Sequence, residues 1–301
     1  MVLGAWFWKV SGKKASIARG SLAMTPYPLS LAPLTIGNLG PEATIAAAAE
    51  GGYDGVGLRL AAAPGTAPAE PVIGDAARLG AIRRQLADHR LAAFSATGLW
   101  LTPQTAGDGF GPALEAAAFL GVRWFLVGGT DPDRARLADS LARLAADAAR
   151  FGVGLAIEFM PYTAVATLAE AMALARGAGA AVGVVVDALH LARSGGTPAA
   201  LAALPPERIA YLQLCDAPAA APAGGTAALR RESLGGRLYP GDGALPLFPL
   251  LEALPRGLVL DLEMPVAADA ALTPAARAGR AAERTRRFLA AWGAPSPVPS
   301  G

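Results

Sequence analysis

The chain has 301 residues, a net charge of +2, 53% hydrophobic residues and 17% charged ones, which allows a large core and argues against extensive disorder. Its arginines are scattered and never interleaved with aromatics, so no nucleic-acid surface is expected, and no apolar run reaches the roughly 20 residues of a membrane span. The lone Cys215 excludes an internal disulfide and fits a cytoplasmic location, while two histidines, His89 and His190, are too few for a His-rich metal cluster.

Residues 1–28 differ in pattern from the rest of the chain. They hold all the lysines (Lys9, Lys13 and Lys14) and two of the five tryptophans, Trp6 and Trp8. We read them as an N-terminal extension, with Met24 an alternative start. With no lysine beyond Lys14, a Schiff-base aldolase is excluded.

From Leu29 the pattern turns regular. The spacing predicts strands over 29–36, 55–60, 91–101, 123–129, 154–160, 182–190, 209–217 and 257–265. Between them it predicts helices opened by Gly40-Pro41-Glu42 and ending at Gly51-Gly52, over 75–89, from Gly111-Pro112 to Leu120, over 133–150 and 167–178, a short one opened by Thr197-Pro198, and one at 246–254. An Arg-rich helix closes the chain at about 275–292. An Ala/Pro/Gly-rich loop fills the stretch before residue 245, and the tail 293–301 reads as disordered. Eight near-continuous apolar strands alternating with helices suit a parallel sheet covered on both faces. A doubly wound sheet would share that alternation. The count of eight, and polar residues at the C-terminal ends of at least four strands, favour a closed single-domain barrel over 29–292. No GxGxxG or GxxxxGK[ST] motif opens a helix after the first strand, which argues against a nucleotide site.

Those polar strand ends are the informative feature. GLAIEFMPY carries Glu158, VGVVVDALH carries Asp187, IAYLQLCDA carries Gln213 and Asp216, and GLVLDLEMP carries Glu263. A carboxylate ending a buried apolar run needs a cation or a reacting group to offset its desolvation. One alone reads as a helix cap or an arginine partner. Four oxygen-bearing side chains on consecutive strands read as a hard site suited to Mg²⁺, Mn²⁺ or a similar divalent ion. Arg193 and Arg237 are candidate anion contacts, with a plain surface role open for each. His89 reads as a helix-terminal cap, Cys215 as a buried thiol pointing the same way as Gln213, and Trp100 and Trp124 as core or site wall. Asp54, Asp108 and Asp131 read as turn residues.

The segments IEFMPY, VVVDALHLARSGG, YLQLCDAP, RLYPGDGALPL and LDLEMP, in this order, resemble the xylose isomerase-like TIM barrels: sugar phosphate isomerases/epimerases, ketose 3-epimerases, and inosose and 3-dehydroshikimate dehydratases. The resemblance covers about residues 29–292 and implies a (β/α)8 TIM barrel with Glu158, Asp187, Gln213 and Glu263 as metal ligands. Glutamine stands at 213 where the family pattern has histidine, a departure that some 3-dehydroshikimate-type dehydratases share. His190 would meet the substrate, with Arg193, Asp216 and Arg237 as further substrate contacts and Glu158 and Glu263 as catalytic bases. The implied activity is isomerisation or epimerisation of a sugar-like keto compound through an enediolate, in carbohydrate metabolism. A dehydratase of the 3-dehydroshikimate or inosose type is the alternative, and a non-catalytic ligand-binding barrel a further one. A three-metal DNA endonuclease would need more histidines and a basic face. The expected partner is a small polyhydroxy or keto-acid molecule, and the relatives' habit implies self-association.

Overall fold

The computed structural model describes residues 27–62, 72–105 and 109–293. Expectations for Trp6, Trp8, Lys9, Lys13, Lys14, Met24, Asp108 and the tail beyond 293 lie outside these residues. Eight parallel strands close into one barrel in chain order. They are β1 (Leu29–Leu31), β2 (Gly55–Arg59), β3 (Ala92–Leu101), β4 (Trp124–Gly129), β5 (Gly154–Glu158), β6 (Val182–Asp187), β7 (Ile209–Leu214) and β8 (Leu260–Leu262). β8 pairs with β1 through Leu29–Leu260 and Leu31–Leu262, which closes the ring. The doubly wound alternative is thereby excluded.

Ten α-helices are present among the described residues: α1 (Pro41–Gly51), α2 (Ala76–His89), α3 (Gly111–Leu120), α4 (Arg134–Phe151), α5 (Leu168–Ala178), α6 (Ala188–Arg193), α7 (Pro198–Ala202), α8 (Gly225–Gly235), α9 (Leu247–Glu252) and α10 (Pro274–Gly293). Their starts follow local chemistry. Pro41 occupies the first turn of α1, Asp75 accepts the Arg78 amide ahead of α2, and Thr167 and Glu170 form a reciprocal capping box on α5. α4 buries Leu137, Leu141, Leu144, Ala145 and Ala148, one apolar stripe that packs on the sheet.

Side chains alternate across each strand, so a residue facing the barrel axis has its i−2 neighbour on the same side. Ala156, Val185 and Tyr211 therefore lie two residues below Glu158, Asp187 and Gln213, and with Phe94 and Leu126 they form a small apolar cluster of their own inside the barrel. The larger core fills the space between sheet and helices.

Several boundaries differ from expectation for physical reasons. β1 stops at Leu31 because Pro33 starts a 3₁₀ turn, Pro33–Ile36. The sixth apolar run is not strand to its end: Asp187 caps a helix by accepting the His190 amide at 2.9 Å, so His190 sits on the first turn of α6. β5 and β7 end at Glu158 and Leu214, and β8 is only three residues long. The stretch before 245, expected as loop, contains α8.

Candidate metal centre

Glu158, Asp187 and His190 converge at the C-terminal end of the barrel. Ligand atoms from the three lie within 4.8 Å of one another, all buried, a cluster able to hold a metal ion. Glu263 joins them through an arginine. Arg237 donates from Nη1 to Asp187 Oδ2 at 2.6 Å, and its Nη2 lies 3.0 Å from Glu263 Oε2. Its Nε donates to the Ser233 carbonyl at 2.9 Å. The side chain is fully buried and lines the cleft, so this candidate anion contact is a guanidinium built into the carboxylate set. Gln213 is the register partner of Asp187, is buried, and its Oε1 has no hydrogen-bond partner. Cys215 lies past the end of β7, where its sulfur accepts from Arg237 Nη1 at 3.3 Å, and burial pushes the thiol up to about 12.

The electrostatics follow from burial and crowding. Burial, then the neighbouring Glu263 and Asp187, hold Glu158 well above the usual carboxylate range. Burial raises Glu263 to about 7 against the opposing pull of Arg237. For Asp187 burial works upward, but Arg237 and His190 outweigh it and keep the carboxyl below its ordinary value. Burial lowers His190 to about 4, so the imidazole is neutral at pH 7. Three carboxylates against one guanidinium leave two negative charges uncompensated once all are ionised. A divalent cation matches that deficit, and the orphaned Gln213 Oε1 is a carbonyl oxygen of the kind such a cation accepts. The residues fit the metal that the family resemblance implies.

Two expected substrate contacts are engaged elsewhere. Arg193 grips Glu232 with two hydrogen bonds, Nε at 2.8 Å and Nη2 at 2.7 Å, and donates to the Pro218 and Ala219 carbonyls. It clamps α6 to α8 because the carboxylate on α8 offers a bidentate partner. Asp216 gathers the amides of Ala217, Gly241, Gly243 and Leu245 at 2.8–3.1 Å. It organises the Pro-Gly-Asp-Gly loop, and a Cβ at Gly243 would fall 2.4 Å from its Oδ1. Asp131 pairs with Arg136 at 2.6 Å, and Asp54 accepts the Leu29 amide at 2.9 Å, both structural roles.

Above the cluster opens a cleft of about 260 Å³. Its floor includes Glu158, Glu263, His190 and Arg237, and Trp100, Leu126 and Met160 supply apolar wall. The β3 side is shaped by Gly98, whose φ of +124° and approach to Ala61 leave no room for a Cβ. Tyr162, Arg230, Ser233 and Arg59 are among the lining residues that had no role in the sequence reading. Tyr162 packs edge-on against His190, with ring centroids 5.6 Å apart, and its hydroxyl lies 2.9 Å from Ser233 Oγ. Arg230 and Ser233 come from the unforeseen α8, and Arg59 from the end of β2. Arg59 carried the same signal as Glu158, a charge ending an apolar strand. Asp261, two residues before Glu263, is a further buried carboxyl, pushed up by burial to about 6.

The family model for xylose isomerase-like TIM barrels matches residues 45–291. The chain belongs to that family. No curated protein sequence matches it. Among solved structures it is similar to the IolI protein with a bound zinc atom, at 18% identity and TM-score 0.72, covering 89% of this chain and 100% of that one. It is also similar to a D-allulose 3-epimerase from Methylomonas sp. in complex with D-allulose, at 18% identity and TM-score 0.63, covering 88% and 98%. A xylose isomerase-like TIM barrel/4-hydroxyphenylpyruvate dioxygenase fusion protein matches at 23% identity and TM-score 0.69 over 86% of this chain, which spans 42% of the fusion's length. At these identities the likeness speaks for the fold. Among the described residues no helix is long and apolar enough to cross a membrane.

Proposed function

We propose that the chain is a divalent-metal-dependent isomerase or epimerase of a sugar or sugar-like keto compound, acting by proton abstraction beside a carbonyl and passing through an enediolate. The observation that carries this reading is the set of three carboxylates, Glu158 and Asp187 buried and Glu263 largely so, with only one guanidinium among them. Glu158, Asp187, Gln213 and Glu263 would hold the ion, Mn²⁺ or Mg²⁺ suiting their oxygen donors. Such an ion supplies polarisation of the substrate carbonyl and offsets the charge that grows on its oxygen.

The chain's own residues do the rest. Glu158 and Glu263 reach the cleft from β5 and from just past β8; one takes the proton at a carboxylate oxygen and the other returns it. In the metal-free protein burial raises both above the range of exposed carboxylates. His190, neutral and packed on Tyr162, offers a ring nitrogen to a substrate oxygen. Arg237 orients Asp187 and Glu263, and Trp100 and Met160 help keep water from the reacting carbon.

A second reading, a dehydratase of the 3-dehydroshikimate or inosose type, is supported by glutamine at 213. A leaving hydroxyl β to the carbonyl would be expelled after the same first step. A metal-supplemented screen of ketoses, inososes and dehydroshikimate, monitored for solvent-deuterium uptake at carbon, tests both. Uptake without loss of water selects the isomerase, and loss of water selects the dehydratase. Protein that contains no divalent metal by elemental analysis and gains no turnover on adding one sinks both and leaves a ligand-binding barrel.

A further inference from the structure

α8 is seated differently from α5. Both are eleven residues long, yet α5 buries Leu168, Ala171, Met172 and Ala175, whereas α8 buries only Ala228 and Ser233. Burial of large apolar side chains is what normally fixes a helix on a barrel, and α8 has little of it. Its Leu234 is instead 44% exposed, at the mouth of the cleft, which Arg230 and Ser233 also line. These three recur at i, i+3 and i+4, so one face of α8 roofs the cleft.

Side chains hold that roof in place. Among the described residues, the backbone of 218–235 makes no hydrogen bond to the backbone of another element. Arg193, in the last turn of α6, grips Glu232 twice and also donates to the Pro218 and Ala219 carbonyls. A single guanidinium thus ties the entry of the excursion to its exit. Ser233 supplies the other ties, its hydroxyl beside Tyr162 and its carbonyl accepting from Arg237 Nε at 2.9 Å. Glycine pairs bracket the helix. Gly224 and Gly225 take φ of +113° and +62°, and Gly235-Gly236 end the last turn. A Cβ added at Gly235 would meet nothing within 4 Å, so close packing does not account for glycine where alanine favours the helix. On either side the chain is fixed again: Asp216 and Leu238 exchange backbone hydrogen bonds, and Gly236 bridges to Val266.

We propose that residues 218–235 form a lid over the cleft, with α8 as its rigid part, the glycine pairs as its hinges and Arg193 as the latch that holds it shut. Opening withdraws Arg230, Ser233 and Leu234 from the cleft and admits a molecule, and closure returns them to its mouth. The latch stands on α6, the helix that Asp187 caps and that carries His190, so it is anchored to the floor of the same cleft. The lid governs access and goes beyond the metal-centred reading, since it operates whichever chemistry the floor performs.

The full-length protein, with no metal or substrate added, tests this. In a Cys215→Ser background, nitroxide spin labels are attached at Thr226→Cys in α8 and Ala173→Cys in α5, both exposed positions, and their separation is read by pulsed electron–electron resonance. The latched protein is expected to give one narrow distance. Arg193→Gln is expected to add a second, displaced component, with the open population raised about tenfold, as loss of a charge-assisted pair implies. Arg193→Lys, which keeps the charge and loses the fork, is expected to fall between the two. Adding Gly235→Ala to Arg193→Gln is expected to shrink the second component. Glu232→Gln opens the same latch from the α8 side, so a folding failure of the Arg193 variants leaves the question answerable. One unchanged narrow distance in Arg193→Gln and in Glu232→Gln overturns the lid. A second component in which α8 has lost its amide protection in hydrogen exchange also overturns it, because that marks an unwound helix and not a hinged one.

Discussion

Strands β1–β4 and β5–β8 share one apolar, parallel construction, yet their C-terminal ends carry different chemistry. The second half delivers Glu158, Asp187, Gln213 and Glu263, all from strand ends or the residue just beyond. The first half delivers Arg59, the Gly98 bend, Trp100 and Thr130, which line the cleft without adding a carboxylate. In the proposed reading, one half performs the reaction and the other shapes and recognises what reacts. A closed barrel allows this division because each strand end contributes independently to one shared face.

Substitutions on the two sides should therefore carry unequal costs. Glu263→Gln is expected to lower the rate of deuterium exchange by about a thousandfold, the scale of losing a positioned base. Trp100→Ala, on the opposite half, is expected to raise KM by about tenfold and leave kcat within a few-fold. Equal effects from the two variants in steady-state kinetics would break the division.

Stability should depend just as unequally on the arginines of the second half. Arg237→Leu leaves Asp187 and Glu263 buried without their counter-charge and is expected to destabilise the metal-free protein by about 3–5 kcal/mol in denaturant titrations. Arg193→Gln loses only the clamp between α6 and α8, and about 1–2 kcal/mol is expected.

The pH dependence sharpens the picture. Glu263 is raised in the folded, metal-free protein to about 7, above its ordinary 4.5. Its contribution to stability is therefore complete below pH 4.5 and lost as pH rises through about 7. Ion binding requires the carboxylate, so it should release a proton and weaken as pH falls below about 7. Calorimetry in buffers of different ionisation enthalpy counts the protons released. A count of zero at about pH 6 would remove Glu263 from the ligand set.

The sequence carried the barrel and most of its charged floor because both rest on local signals. An apolar run of strand length that ends in a carboxylate stands out however the chain folds, and a series of such polar strand ends located Glu158, Asp187, Gln213 and Glu263. What stayed hidden depends on partners distant in the chain. The run through Asp187 is apolar on both sides, so nothing local says that it turns from strand to helix before His190. α8 opens at Gly224 without a side-chain cap, inside an Ala/Pro/Gly-rich stretch, and gives no start signal. Arg193, Asp216 and Arg237 are equally plausible at a substrate or in the frame until Glu232, the loop amides and Asp187 are seen beside them.

The guanidinium of Arg237 also bears on the order of assembly. In a chain folding without an ion, crowded carboxylates at the barrel mouth would resist closure of the last strands. Arg237 already stands between Asp187, on β6, and Glu263, just past β8, and ties the sixth strand to the eighth. In the proposed function the ion would then be an addition to a finished barrel, in contrast to small metal-stapled domains that unfold without theirs. Chelator-treated protein should accordingly melt in a single cooperative transition, shifted upward when the ion is restored.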